Sequence, residues 1–113
     1  KDDITALGDD WSARLQALRP VRFVYKSGYD DGTRTPQFGL IAEEVAESIP
    51  ELVVRDDQGQ VQTVRYHFLP PLLLAEVQRL ERERASLTAT VTAQAAAIAE
   101  LRAAIATLVA RER

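Results

Sequence analysis

From Leu72 to Arg113 the chain contains neither Gly nor Pro and is dominated by Ala, Leu, Arg and Glu. A run of strong helix formers with no breaker predicts one continuous helix beginning just after Pro71. At about 1.5 Å per residue it would be on the order of 60 Å long. No head built from the remaining residues can bury a helix of that length, so whatever the chain folds into must leave most of it for something else.

The helix carries a seam. With Leu73 at heptad position d, the a positions are Val77, Arg84, Val91, Ile98, Ile105 and Glu112, and the d positions are Leu73, Leu80, Leu87, Gln94, Leu101 and Leu108. Nine of these twelve are aliphatic. A 3.5-residue period held over more than five heptads keeps one stripe facing a partner, which is the pattern of a coiled coil. The competing reading, an ordinary amphipathic helix packed on its own head, fails on length. Val or Ile at a with Leu at d leans toward two strands, whereas Ala95, Ala97, Ala104 and Val109 at e and g widen the apolar face and suit three or more helices. Gln94 at d is a polar layer that sets register at some cost in stability, unless it sits where the core is loose.

All five glycines, the Trp and every Tyr lie in the first 66 residues. This division gives two regions: 1–66, an α+β head, and 67–113, the long helix. In the head, Asp9 or Asp10 can cap a short helix bearing Trp11, Leu15 and Leu18 and ended by Pro20. Val21, Phe23 and Tyr25 alternate with Arg22, Val24 and Lys26 as in a strand. Ser27–Thr35 reads as a loop before a second strand near Gln37–Ile41, completing a hairpin. Ala42–Ser48 reads as a short helix stopped before Pro50, and Leu52–Val54 with Val61–Val64 flank the turn Asp56–Gly59. Such a head has too small a core to be comfortable alone, and oligomerisation through the helix is the natural supplement.

Charge and composition narrow the function classes. The head carries 8 basic and 12 acidic residues and the rest 6 and 5, so neither part offers the clustered basic surface that dominates nucleic-acid affinity. No nucleic-acid partner is expected. No apolar run is read as approaching the roughly 18 residues of a membrane span, and no membrane partner is expected either. There is no Cys and one His, His67, which excludes cysteine and multi-histidine metal sites, and no metal or other cofactor is expected. His67 reads as a packed or solvated junction residue. The pairs Asp30-Asp31 and Asp56-Asp57 lack the ligand spacing of a calcium loop and read as turn residues. Ser12, Ser27, Ser48 and Ser86 have no Lys or His at an obvious helical spacing that would make any of them a nucleophile.

Three runs carry a family resemblance: LRPVRFVYK (Leu18–Lys26), FGLIAEEVAESIPELV (Phe38–Val53) and VRYHFLPPLLLAEVQRLE (Val64–Glu81). In order and spacing they resemble the C-terminal intramolecular chaperone domain of phage tailspike and tail-fibre proteins, the self-cleaving endosialidase-type peptidase family. The resemblance implies a homotrimer whose helices form a parallel trimeric coiled coil. It also implies a partner, the upstream fibre or spike segment of the same precursor, and release by self-cleavage at the domain's own N-terminus. Family cleavage uses a Ser-Lys dyad in a motif resembling Ser-Asp-x-Arg-Leu-Lys-x-x-Ile. Lys1, Asp2, Asp3 and Ile4 match its tail, which makes Lys1 the implied catalytic lysine, a general base toward the serine once its surroundings lower its pKa. The motif's serine is not among these residues, so this stretch by itself is expected to be inactive. The implied setting is a virion tail precursor, or the host cytoplasm during assembly. A non-proteolytic coiled-coil module that oligomerises and binds a partner is the alternative.

Overall fold

The computed structural model describes residues 1–113 and gives an α+β head followed by a long helix. In chain order the elements are α1 (Trp11–Gln16), β1 (Val21–Phe23), β2 (Gln37–Gly39), α2 (Ala42–Ser48), β3 (Val53–Arg55), β4 (Val61–Val64) and α3 (Leu69–Arg111). By contacts the chain separates into two compact units, Lys1–Glu76 and Val77–Arg113.

The first unit holds two antiparallel hairpins. In one, Val21 pairs with Gly39, Arg22 with Phe38 and Phe23 with Gln37. In the other, Val53 pairs with Val64 and Val54 with Thr63, after which a bulge shifts Arg55 opposite Val61. The second hairpin turns on Asp56, whose carboxylate accepts from the backbone N–H groups of Gln58 and Gln60, both at 2.9 Å. Gly59 closes that turn at φ 79°, where a side chain would be strained. The first strand is shorter than alternation predicts. After Phe23 the chain leaves the ladder, because the Tyr25 carbonyl accepts from the Arg34 guanidinium at 2.7 Å and Ser27–Tyr29 coils into a 3₁₀ turn. Phe23 and Tyr25 meet edge to face, with centroids 5.1 Å apart.

The core is small: Val45 and Ile49 from α2 and the residue after it, Leu52 from the 3₁₀ turn Pro50–Leu52, Val53 and Val64 from the second hairpin, and Leu72 from the first turn of α3. Trp11, Leu15 and Leu18 pack at its edge. Thus the start of α3 belongs to the head's own core. Of the two candidate caps, Asp10 occupies the position before α1, and its side chain makes no capping hydrogen bond. Its backbone is already helical, at φ −66° and ψ −20°, which turns the side chain away from the first-turn N–H groups.

Helix α3 begins three residues before the expected start. Pro70 and Pro71 lie in its first turn, where their missing N–H groups would have no intrahelical acceptor in any case. Its 43 residues span about 65 Å. By length and composition this helix is also apolar enough to cross a membrane. Expecting no such stretch overlooked how far alanines raise the average hydropathy when few charges intervene.

Candidate functional site

Two side-chain systems lock α1 against the rest of the head. Glu76 is only 7 % exposed. Its carboxylate accepts from the Ser12 hydroxyl at 2.7 Å and from the Gln16 amide at 3.0 Å. On the other side of α1, Arg14 donates from Nε to the Ser48 carbonyl at the end of α2 (3.1 Å) and from Nη2 to Glu51 (2.6 Å), with its guanidinium 4.6 Å from the Trp11 ring centroid. Ser12 is therefore committed to a structural hydrogen bond. Among the other serines, the Ser86 carbonyl merely accepts from Thr90 within α3.

Between α1, the first hairpin and the start of α3 lies an open apolar groove of about 620 Å³. Leu15, Leu18, Val21, Phe38, Leu40, Leu69 and Leu73 line it. Phe38 stands 82 % exposed at its edge. Beneath the first hairpin the Tyr66 hydroxyl accepts from the Leu40 N–H at 3.0 Å. A Cβ at Gly39 would come within 2.7 Å of that hydroxyl, so this strand position accepts only glycine without a shift.

The seam is apolar and open. Leu73, Val77, Leu80, Leu87, Val91, Ile98, Leu101, Ile105 and Leu108 are between 45 % and 63 % exposed in the single chain. Gln94 is exposed among them. Arg84 folds back along α3 to meet Glu81 in a fork, Nε to Oε2 at 2.9 Å and Nη2 to Oε1 at 2.6 Å. That hydrogen-bonded pairing holds the Glu81 carboxyl below the ordinary carboxylate range and raises the Arg84 guanidinium further. A charge at an a position thus carries its own counterion, which lowers the cost of placing it in a helical interface.

Lys1 lies exposed at the start of the irregular segment that precedes α1. Asp2, Asp3 and Ile4 follow it, equally exposed, with Asp3 at φ 53°. The acidic pairs take turn roles: the Asp31 carboxylate accepts from both the backbone and the hydroxyl of Thr33, and Asp30 accepts from the Arg34 N–H at 2.7 Å. His67 is exposed, with its ring against Phe68. Glu76 and Gly39 escaped sequence reasoning. Glu76 sits at a g position like Glu83, and nothing local distinguishes them. Only the return of α1 over α3 buries one and leaves the other in a surface pair with Arg79.

Residues 1–54 match a protein-family model described as chaperone of endosialidase. The match takes in the first two of the three runs that carry the resemblance and ends at Val54, ahead of the third. No curated protein matches the chain.

Proposed function

We propose, from the premise that residues 1–54 belong to the chaperone of endosialidase family, that this chain is an intramolecular chaperone acting as a homotrimer. Its helices join three copies in parallel, and its heads hold the upstream fibre or spike segment of the same precursor while that segment folds. The observation that carries this reading is the seam: nine aliphatic side chains at heptad spacing, each close to half exposed or more in the isolated chain. Burying them is worth roughly 25 cal/mol per Å² of apolar surface, and only other helices offer a continuous complementary stripe. Joining three chains at one end raises the effective concentration of their upstream segments, so that pairing across long loops becomes intramolecular. The setting would be a virion tail precursor or the host cytoplasm during assembly.

Membrane crossing is the weaker use of α3. Its larger aliphatic residues recur mostly along one seam, Gln94 interrupts that seam, and Glu100 and Arg102 lie within its most apolar stretch. A charge near the bilayer centre costs about 2.5–3.5 kcal/mol, and spanning helices are apolar all round.

The second part of the proposal is release by self-cleavage, with Lys1 as the general base of a Ser-Lys dyad whose serine lies upstream. A lysine acts as a base only when neutral. The exposed Lys1 must therefore gain an apolar or cationic environment, which the upstream residues and neighbouring copies would supply on assembly. Expressing the chain with its upstream segment tests this directly. Two fragments are expected from the parent, and one uncut, still trimeric product from Lys1→Ala. A helix-breaking Leu87→Pro should stay monomeric and uncut. Efficient cutting of Lys1→Ala would refute the dyad, and a single uncut parent band would leave a permanent coiled-coil module that does no proteolysis.

A further inference from the structure

We infer that the apolar groove of the head is completed by a neighbouring copy, whose Leu74 enters it beside Leu69. The inference rests on the parallel trimer proposed above and specifies how the heads, not only the helices, engage.

Heptad geometry names the occupant. Extending the seam register one turn back places Leu69 at g, with Leu73 at d and Leu74 at e. Positions d and g lie on the same flank of the helix, and both Leu69 and Leu73 line the groove. Position e lies on the opposite flank. In a parallel coiled coil, a g residue of one helix faces the e residue of the following heptad on the next helix, five positions later. From Leu69 that position is Leu74. This leucine is 58 % exposed and finds no apolar enclosure in its own chain.

The chemistry of the two faces agrees with the register. Positions e and g in soluble coiled coils are typically charged, as Glu81 at e and Glu83 at g are here. At this first turn both are leucine. The g-side leucine opens onto a groove walled by Leu15, Leu18 and Leu40, with the exposed Phe38 at its mouth. An uncharged e–g pair beside an empty apolar groove is what an interface that extends from helix to head requires. Each copy gives Leu74 to one neighbour and receives it from the other, so three grooves are filled and the arrangement closes.

The absence of cysteine from the chain makes the contact measurable. Full-length chains carrying Phe38→Cys and chains carrying Leu74→Cys are mixed unfolded, refolded together and treated with a short bismaleimide. Both positions are exposed in the single chain, so neither change touches the buried core. The expected result is a covalent dimer joining one chain of each type, identified by mass spectrometry of the linked peptides and at least tenfold more abundant than any product of either variant alone. A mixture that sediments as trimer but yields no such joined product overturns the inference while leaving the trimeric chaperone intact. A mixture that sediments as monomer overturns both.

Discussion

Glu76 shows how one residue can hold a small head together. A buried carboxylate is tolerated only when it is hydrogen-bonded, and here Ser12 and Gln16, both on α1, donate to its Oε2. Glu76→Ala removes the acceptor for both donors. The expected loss is about 1–3 kcal/mol, read as a lower urea midpoint with unchanged slope, and limited proteolysis should cut first near α1. Gly39 has a different kind of necessity. An added methyl must displace the Tyr66 hydroxyl, which its hydrogen bond to the Leu40 N–H holds in place. Gly39→Ala is therefore expected to cost about 1–3 kcal/mol by overpacking, measurable by thermal unfolding. An unchanged midpoint would mean that the Tyr66 hydroxyl is not held there.

Among the elements, α2 is also tied at the surface to the segment between α1 and β1 by Arg19 and Glu44, whose nitrogens and oxygens meet in a fork at 3.2 and 2.7 Å. The hydrogen bond from Arg19, aided by its charge, holds the Glu44 carboxyl below its ordinary range. A depressed carboxylate contributes stability that is fully present above the ordinary carboxylate pKa and is lost as pH falls through the folded value. Arg19→Ala should accordingly flatten the acid limb of the stability profile, by a small and salt-sensitive amount because the pair is exposed. In α3, Arg84 and Gln94 interrupt the seam. Replacing both by Leu should raise thermal stability while permitting shifted or larger assemblies. Unchanged stability would place them outside the interface.

Periodicity made the long helix and its seam readable, since a 3.5-residue repeat persists whatever the helix packs on. Helix α2 was equally legible, bounded by Pro50 and matching Ala42–Ser48 residue for residue. What the sequence hid depends on contacts between distant segments. Strand β1 ends early because Arg34 takes the Tyr25 carbonyl, and Asp10, one of the two candidate caps of α1, makes no capping hydrogen bond with its side chain. The groove exists only once α1, the first hairpin and α3 come together. Lys1 is named by resemblance to a family motif, and no local pattern around it would have singled it out.

For the whole molecule, the contrast lies between a core of six buried apolar side chains and a seam of nine exposed ones. A head with so little interior is marginal by itself, and its helix carries more apolar surface than the head can cover. The proposed trimer would resolve both at once and would bring the upstream segments into register. The decisive measurement is sedimentation equilibrium of the full chain at micromolar concentration. A parallel trimer gives a single species of three times the chain mass, whereas a monomer or a stable dimer rules the trimer out.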